Sequence, residues 1–504
     1  MADPISGLKS WMSRNSFVFP LLAFIIPVFV RVIPEVLMGP YIVGFDTLGF
    51  YVPNTLLWLH NGVNLTNFLA TAPLFYTIFM LIVGAGGSPV LVLKIISPLL
   101  LGFLGLSMYG YAKRGLGWSS SKGVFVALLG TLYFVALRAS WDQLREELSL
   151  VFFFVVLMLL MNKKVDSKKN YVFLSLAMFA AVLSQQLVPV LMFGVIFLII
   201  INNLSQKKFR FSLNLILISL PAMIYFLVVY ISGVMQAGFL NYSTNVGSPL
   251  LSWTGFNSYG SMVLSTAGLF LYCFLLILPF ALIGLWRLRN LTLWTWLLFS
   301  IILILLPIAS VSPYRWVLML VYPLAFLATD ALSRLGSIKW KRYGFSVRRI
   351  AILYLVFSTV FLSFGFMFAT SEKPFAYFSP QYFNYYEYQI PSSMLQNTIS
   401  KSDCADTTNA IQWFKNNVDS SSLLLTHTVF YGWALLSLNE SQVANYEFGT
   451  PDKAAELAVQ KGHTQIYLIW WINGQGWYEQ PSVPLSFTEI YHSGKIAIYS
   501  YNIS

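Results

Sequence analysis

Residues 16–38 read SFVFPLLAFIIPVFVRVIPEVLM, an apolar stretch that contains only two charged side chains, Arg31 and Glu35. A helix of about twenty apolar residues crosses the hydrocarbon core of a bilayer, which is about 30 Å thick. The stretch is longer than the core of a signal peptide and lacks a small-residue cleavage site, so it predicts a retained transmembrane helix. This part of the chain is therefore expected to fold within a lipid bilayer.

The composition extends this interpretation to most of the chain. Of 504 residues, 57% are hydrophobic, 17% aromatic and only 10% charged, against about 25% charged residues in an ordinary soluble domain. Comparable apolar runs recur to about residue 370 and then stop. We expect a polytopic α-helical membrane protein with about eleven transmembrane helices in residues 1–370, followed by a small external α/β domain in residues 371–504. The two cysteines, Cys273 and Cys404, are too few for a disulfide scaffold or a metal cage.

The eleven predicted spans lie near 16–38, 89–111, 122–138, 147–161, 170–185, 187–201, 211–231, 263–286, 292–309, 314–332 and 348–369.

The net charge is +12. The basic residues are distributed according to the side of the membrane and do not form a surface for nucleic acid. Alternate loops are rich in basic residues, whereas the loops between them hold only Arg138, Arg145 and Arg315. The positive-inside rule assigns the basic loops to the cytoplasm. The basic residues are Lys113, Arg114 and Lys122; Lys163, Lys164, Lys168 and Lys169; Lys207, Lys208 and Arg210; Arg287 and Arg289; Arg334, Lys339, Lys341, Arg342, Arg348 and Arg349.

A further apolar segment, residues 68–86, does not fit this alternation. Counting it as a span would invert every basic loop that follows. We therefore expect an interfacial or re-entrant helix within a long external loop, residues 39–88, where non-spanning backbone is buried in protein. A true span with the N-terminus outside is the alternative.

This topology puts the acidic residues of interest outside. Asp46 lies in PYIVGFDTLGFYVP, residues 40–53, just beyond the first span, and Asp142, Glu146 and Glu147 lie in RASWDQLREEL. The cytoplasmic acids are scattered and no glycine-rich phosphate loop accompanies them, which disfavours an ATP or nucleotide-sugar site inside. On its own, Asp46 could equally be a helix cap or a solvated loop residue.

Four short motifs resemble the GT-C superfamily of polyprenyl-phosphate-dependent glycosyltransferases in their order along the chain and in their predicted position on the outer side of the membrane. The resemblance covers most of the membrane part at the level of architecture; it extends to protein O-mannosyltransferases, the lipid A aminoarabinose transferase and oligosaccharyltransferase catalytic subunits. The tail is similar to small external domains of archaeal members. The motifs are Gly44-Phe45-Asp46-Thr47 with Tyr51; Ala72-Pro73-Leu74-Phe75-Tyr76; Trp141-Asp142 with Arg145; and Pro313-Tyr314-Arg315-Trp316 before Tyr322-Pro323.

The resemblance implies an inverting transfer of one sugar, mannose or another hexose, from dolichyl or polyprenyl phosphate to a lipid-linked glycan or a protein. Asp46 would be the general base, because a carboxylate near the acceptor hydroxyl can take its proton. Arg315 would bind the donor phosphate, since guanidinium groups bind phosphate oxygens bidentately; the alternatives are a snorkelling side chain or a partner for an external acid. Arg138 and Arg145 are further phosphate-binding candidates.

Other residues are candidates for contact with the sugar or the acceptor. They are Asp142, Glu35, Tyr51, Gln185 and Gln186. The alternatives are that Arg138, Asp142, Arg145 and Glu146 simply pair along a helix, and that Gln185 and Gln186 form an ordinary hairpin turn.

The resemblance to oligosaccharyltransferase has a limit. The chain has neither a DxD motif outside nor WWDYG in the tail, so protein-asparagine glycosylation is disfavoured. We expect no required cofactor and no metal ligand set, although two external carboxylates could hold a divalent ion. The expected partners are the lipid-phosphate donor, the acceptor and membrane lipid, with no nucleic acid. The expected location is a cell membrane with the site outside, or the endoplasmic reticulum with the site in the lumen.

Three further segments have predicted roles. The uncharged external loop 232–262 would form a mobile lid, or would be a passive surface loop. Trp470, Trp471 and Trp477 would stack on sugar rings or anchor to headgroups. The tail is predicted to have a helix over 406–418, a second helix ended by Gly462, and four short strands. His427, His463 and His492 lack metal spacing.

A different class of function remains open. In a transporter or flippase of lipid-linked sugars, Arg31, Glu35 and Lys94 would form an intramembrane polar pathway. The ionisable residues gather at the outer rim rather than at the midplane, and the chain has no inverted internal repeat of the kind many transporters have. These features favour the enzyme.

Overall fold

A computed structural model describes ten stretches of the chain. They are residues 17–161, 167–236, 258–288, 290–305, 313–335, 346–370, 396–446, 450–473, 475–476 and 483–502.

Helices account for almost all of the described membrane part. In chain order they are α1 Val18–Met38, α2 Thr47–Asn61, α3 Leu65–Ala70, α4 Leu74–Gly84, α5 Pro89–Gly110 with a π turn Tyr111–Gly115, α6 Ser120–Leu132, α7 Phe134–Asp142, α8 Leu144–Leu160, α9 Lys168–Ser184, α10 Leu187–Ser205, α11 Phe209–Gln236, α12 Tyr259–Phe274, α13 Leu278–Arg287, α14 Leu291–Leu305, α15 Pro313–Met319, α16 Val321–Leu335 and α17 Val347–Phe368.

The chain is an integral, multi-pass membrane protein. By length and composition, six helical segments in the described residues can cross a bilayer, and two bent helix pairs raise the number to eight. The pair α6–α7 bends by 59° and the pair α12–α13 by 94°. Helices α8, α9 and α14, of 17, 17 and 15 residues, occupy the three remaining predicted spans, so each of the eleven apolar runs coincides with helix.

The segment between the first two long helices is folded on the bundle. Helix α4 has 11 residues and is therefore about 16 Å long, too short to cross the hydrocarbon core alone. The Tyr76 hydroxyl donates to the carbonyl oxygen of Phe50 at 3.0 Å, and the Tyr51 and Phe75 rings are 4.8 Å apart. These contacts hold α4 against α2 and support a non-crossing segment.

The C-terminal unit is a five-stranded mixed sheet with helices, which confirms the predicted α/β class. The strand order is β2-β1-β3-β5-β4, with β2, β1 and β3 parallel and β5 and β4 antiparallel. The elements are α18 Lys401–Asn417, β1 Leu423–Thr426, α19 Thr428–Leu435, a 3₁₀ turn Glu440–Gln442, β2 Val443–Asn445, α20 Pro451–Gln460, β3 Ile466–Trp471, β4 Phe487–Ser493 and β5 Ile496–Tyr501.

Two boundaries in this unit differ from the sequence prediction. Helix α18 begins at Lys401 and not at 406, because the Ser400 hydroxyl caps it by accepting from the Asp403 N–H at 3.1 Å. Helix α19 was not predicted. Its segment is strongly apolar, and the His427 ring nitrogen caps it by accepting from the Val429 N–H at 3.3 Å.

The C-terminal unit packs directly on the membrane part through α19 and α2. The two helices approach at glycines: a Cβ on Gly49 would lie 2.0 Å from the Thr428 carbonyl oxygen, and one on Gly432 would lie 2.2 Å from Leu48 backbone atoms. The Trp433 indole N–H donates to the Phe45 carbonyl oxygen at 2.8 Å. This contact brings the unit to the loop that contains Asp46.

Candidate active site

The loop before α2 has a tightly held backbone. The Phe45 N–H donates to the Asn397 carbonyl oxygen at 2.9 Å, and the Thr47 hydroxyl donates to the Trp141 carbonyl oxygen at 2.9 Å. The Phe45 ring is fully buried and stacks on Trp433 with the ring centroids 5.1 Å apart. Asp46 is thereby fixed between the first span, the α7 region and the C-terminal unit.

Asp46 is not a helix cap. It occupies the N-cap position of α2, but its side chain accepts no hydrogen bond from the first turn of the helix. Nor is it a solvated loop residue, because only 5% of it is exposed. Both structural alternatives offered by the sequence are therefore excluded for this carboxylate.

An asparagine that the sequence did not suggest links the two acids. The Asn397 amide nitrogen donates to Asp46 Oδ1 at 2.6 Å and to Asp142 Oδ2 at 3.2 Å. Asn397 lies 351 residues from Asp46 in the chain, just before α18. No local pattern around it marks a site, so only the fold could identify it.

The second acid is held by an arginine from its own helix. Arg138 Nη1 donates to Asp142 Oδ1 at 2.8 Å and Nη2 to Oδ2 at 3.1 Å. This is the two-pronged geometry that makes guanidinium–carboxylate pairs strong and directional. The expected pairing along the helix is thus found for Arg138 with Asp142, but Glu146 and Arg145 have other partners.

These neighbours set the ionisation of Asp46. Burial raises the pKa of its carboxyl from 3.8 to about 7, and the negative charge of Asp142 adds to the rise. The positive charge of Arg138 and the hydrogen bond from Asn397 oppose it. A carboxyl with a pKa near neutrality is a stronger base than an exposed aspartate and is still ionised in a large fraction of molecules at pH 7.

Tyr51 forms hydrogen bonds to the backbone on both sides of the junction between α7 and α8. Its hydroxyl donates to the Asp142 carbonyl oxygen at 2.7 Å and accepts from the Leu144 N–H at 3.1 Å. Burial, reinforced by the charge of Glu146, raises its pKa well above the ordinary value. Tyr51 therefore stays neutral, and its hydroxyl positions Asp142.

Arg315 reaches the same region from α15. Its Nη1 donates to Glu146 Oε1 at 2.9 Å, and 35% of its side chain is exposed, compared with 7% of the Glu146 side chain. Glu146 lies in the first turn of α8, four residues after Asp142. Arg315 therefore pairs with an external acid, as one alternative predicted, and its side chain is still partly exposed.

Arg145, Gln185 and Gln186 form a separate group beside the first. Arg145 contacts the carbonyl oxygens of Thr71 and of Ser184, and its guanidinium lies 5.3 Å from the centre of the Tyr76 ring. The Gln186 amide donates to the Ala70 carbonyl oxygen at 3.1 Å.

Gln185 has a structural role in that group. It is buried, and its side-chain oxygen accepts from the Leu187 N–H at 3.2 Å, at the start of α10. This is the turn that the alternative interpretation of residues 184–189 predicted, and contact of these glutamines with a sugar remains a prediction.

Glu35 has its partner within its own helix. It accepts from Arg31 at 2.8 Å, both side chains being buried in α1. Arg31 also donates to the Ser140 hydroxyl at 3.0 Å and lies 4.9 Å from the centre of the Trp141 ring. The pair thus braces α1 against α7, and a direct contact of Glu35 with the acceptor remains a prediction.

The tryptophans of β3 are packed inside the protein. Trp470 and Trp471 are buried, and the Trp471 ring lies 4.6 Å from the Phe430 ring and 6.0 Å from the Phe45 ring. Their packing joins the sheet to the Asp46 loop. Trp477 and residues 237–257 of the predicted lid fall outside the described residues.

A groove with apolar lining lies among the later helices of the membrane part. It has a volume of about 400 Å³ and runs between α12, α13, α14, α15 and α16. Its lining includes Val317 of α15, two residues after Arg315, together with Trp294 of α14 and Leu327 of α16. Leu305 and Trp294 are eleven residues apart on α14, so the groove follows that helix for about 16 Å.

The described residues include no group of three or more histidine, cysteine, aspartate or glutamate side chains that could hold a metal ion. Cys273 and Cys404 are both buried and unbridged. Near Asp46, the described residues include two ion pairs, Arg138 with Asp142 and Arg315 with Glu146.

Comparison with known proteins gives likenesses to solved structures but no match to a family or a curated protein. No family model matches the chain, and no curated protein matches it. A solved structure, ArnT from Cupriavidus metallidurans bound to undecaprenyl phosphate, is similar with a TM-score of 0.48 and 12% identity over 98% of each chain. These values are too low to transfer a function, so the proposal that follows rests on the residues of this chain.

Proposed function

We propose that the chain is a membrane glycosyltransferase that moves one sugar from a polyprenyl phosphate to an acceptor hydroxyl on the outer side of the membrane. One observation supports this most directly: Asp46 is buried, has a pKa of about 7 and is held by Asn397 beside the Arg138–Asp142 pair. A carboxyl tuned in this way suits general-base catalysis at neutral pH.

The donor would lie with its phosphate at Arg315 and its isoprenoid chain in the apolar groove. An isoprenoid needs an apolar path open to the bilayer, and the groove has that character over about 16 Å. Its phosphate needs a cation, and the partly exposed Arg315 lies on α15, the helix whose Val317 lines the groove. Glu146 keeps the guanidinium in place until the phosphate arrives.

The reaction then follows from proton and charge movement. The acceptor oxygen attacks the anomeric carbon from the face opposite the phosphate, and Asp46 takes the hydroxyl proton. The bond between the anomeric carbon and the phosphate oxygen breaks, and the electron pair leaves with the polyprenyl phosphate, whose added charge is stabilised by Arg315. Attack from the opposite face inverts the configuration of the sugar.

Asp142 would orient the sugar or the acceptor rather than take the proton. Both of its oxygens already accept hydrogen bonds from Arg138, and one accepts from Asn397 as well. Arg138 in turn is committed to Asp142, which makes Arg315 the better phosphate ligand. We assign the sugar to the hexoses, mannose included, with a lipid-linked glycan or a protein as the acceptor and dolichyl or undecaprenyl phosphate as the carrier.

The transporter alternative has less support. Its three residues already have partners within the helices: Arg31 pairs with Glu35, and the Lys94 ammonium donates to the carbonyl oxygens of Gly39 and Tyr41, the latter at 2.8 Å. A polar pathway would need these groups to exchange partners during transport. Their contacts instead tie α1 and α5 to the start of the external segment.

The proposal is tested with the purified protein and a panel of dolichyl- and undecaprenyl-phosphate hexoses. Mass spectrometry follows transfer to lipid and protein acceptors and loss of the donor. Asp46→Asn should abolish transfer, whereas Glu456→Gln, at an exposed carboxyl of α20, should not. Full activity of Asp46→Asn would exclude the base assignment, and labelling of a cysteine placed at residue 115 from outside would overturn the sidedness.

A further inference from the structure

A large groove lies at the end of α9, α10 and α11 opposite to the candidate active site. Helix α9 runs from Lys168 to Ser184, about 25 Å, and its far end adjoins Arg145 through Ser184. The groove has a volume of about 1180 Å³ and is lined by the start of α9, the end of α10 and the start of α11. It lies on the face that the charge distribution assigns to the cytoplasm.

Among the residues that the structure describes, the charged side chains that line this groove are all basic. They are Lys168, Lys207, Lys208 and Arg210. Among the described residues, none of the four lies within 4 Å of a carboxylate. The positive-inside rule explains why basic residues occur on this side of the membrane. It does not require basic residues from the start of α9 and from the α10–α11 connection to line the same groove.

Two helix N-termini add to the positive potential. Lys168 is the first residue of α9, and Arg210 is the second residue of α11. The N-terminus of a helix carries partial positive charge, and a basic residue in the first turn is unfavourable there. Neither first turn contains an acidic residue. An anion between the two helix ends would compensate both the side chains and the helix dipoles.

Lys207 occupies a backbone conformation that favours glycine. Its φ is +59°, and the Lys208 N–H donates to the Asn203 carbonyl oxygen while the Lys207 N–H donates to that of Leu204, both at 2.9 Å. This pair of bonds is the Schellman ending of a helix, whose left-handed position is usually glycine. A lysine at this position is unfavourable for the backbone. We therefore infer that its side chain has a function.

The remaining lining matches the shape of a lipid. Tyr171, Asn203 and Asn214 are polar, and the Asn214 amide donates to the Tyr171 hydroxyl at 3.3 Å. Leu217 and Ile218 lie one to two turns farther along α11, and Leu217 is exposed to the bilayer side. A charged and polar mouth above an apolar surface fits a phosphate headgroup with its acyl chains beside α11.

We propose that this groove binds the phosphate headgroup of an anionic phospholipid from the cytoplasmic leaflet. That leaflet carries the anionic lipids, and basic pockets between transmembrane helices on its side attract their headgroups. The lipid stabilises the α9–α10–α11 unit, because it bridges two helix N-termini that otherwise repel through their basic side chains. This site is independent of sugar transfer on the opposite face.

The test uses the delipidated full-length protein with dioleoyl phosphatidylglycerol, dioleoyl phosphatidylcholine or inorganic phosphate. Native mass spectrometry counts retained lipid, and thermal unfolding measures the stabilisation. We expect phosphatidylglycerol to be retained and to raise the Tm, and phosphatidylcholine and phosphate to have little effect. The double variant Lys207→Gly/Arg210→Gln should bind phosphatidylglycerol about 30-fold more weakly, at about fivefold for each charge removed.

The variants separate the charge from the backbone. Lys207→Gly suits the left-handed turn, so it should keep or raise the Tm of the lipid-free protein while lowering lipid retention. Lys113→Gln/Arg114→Gln removes two basic residues from another cytoplasmic loop and should bind lipid like the wild type. Equal retention by both double variants would overturn the site, and equal stabilisation by inorganic phosphate would assign it to a soluble anion instead of a lipid.

Discussion

Replacing Asp46 by asparagine should remove activity and at the same time stabilise the protein, increasingly so as the pH rises. Burial and the charge of Asp142 raise the carboxyl pKa from 3.8 to about 7. A group whose pKa is higher in the folded state makes folding less favourable as pH rises, because the unfolded chain ionises first. The penalty is absent below pH 3.8, grows up to about pH 7 and is constant above it.

The magnitude follows from the two pKa values. Each pKa unit corresponds to about 1.4 kcal/mol, so wild-type Asp46 costs about 2 kcal/mol at pH 5 and about 4 kcal/mol at pH 8. The asparagine side chain in Asp46→Asn keeps an oxygen that accepts from Asn397 and has no charge to bury. For a chain of this size about 1 kcal/mol shifts the Tm by about 1 °C, so the variant should melt about 2 °C higher than the wild type at pH 5 and about 4 °C higher at pH 8.

Thermal unfolding of both proteins in the same detergent, at several pH values between about 5 and 8, measures this difference. Glu456→Gln is the control, because its carboxyl is exposed on α20 and its Tm difference should not depend on pH. A difference between Asp46→Asn and the wild type that is the same at both ends of this pH range would refute the raised pKa. Transfer by the wild type should rise with pH and reach half its plateau near about pH 7.

The other predictions concern the groups around this carboxyl. Arg315→Ala should weaken binding of the polyprenyl-phosphate donor about 10- to 100-fold, since charge-assisted hydrogen bonds to phosphate are lost; unchanged donor KM in a transfer assay would exclude the assignment. Asn397→Leu removes a hydrogen bond that lowers the Asp46 pKa, so the acidic limb of the pH–rate profile should move to higher pH, whereas a purely structural residue would lower the rate equally at every pH. Gly49→Ala places a methyl group 2.0 Å from the Thr428 carbonyl oxygen and should cost about 1–3 kcal/mol of stability; Gly260→Ala, with open space around it, is the control, and equal Tm values for the two would contradict the close approach.

The sequence predicts the helices well because hydrophobic length and periodicity are local properties. Each apolar run coincides with a helix, and the charge pattern anticipates that residues 68–86 do not contain one long span. The bends were not predicted. The 94° break after Phe274 lies just before Pro279, in the first turn of α13. Pro279 has no N–H to donate to the carbonyl oxygen of Leu275, and its ring would clash with that carbonyl in a continuous helix.

The candidate site was predicted in part, for a reason that particular residues make clear. Asp46, Asp142 and Arg138 could be selected because a charge beside an apolar run is conspicuous in the sequence. Asn397 is a neutral residue in a polar segment, and nothing local distinguishes it. Glu147 was expected in a loop, but it is fully buried at the start of α8, and neither of its carboxylate oxygens has a hydrogen-bond partner among the described residues. Long-range packing decides such positions.

The docked C-terminal unit determines how strong a base Asp46 can be. Asn397 lowers the carboxyl pKa through its hydrogen bond, but burial, to which the same segment contributes, is the largest cause and raises it. The net effect of covering Asp46 is therefore a higher pKa. An uncovered aspartate would be fully ionised at neutral pH and also less basic by about three orders of magnitude in proton affinity. The Phe45–Trp433 contact, 2.8 Å between the carbonyl oxygen and the indole nitrogen, thus couples the position of the C-terminal unit to the environment of Asp46. Under the proposed function, this contact would give the C-terminal unit a physical role in transfer.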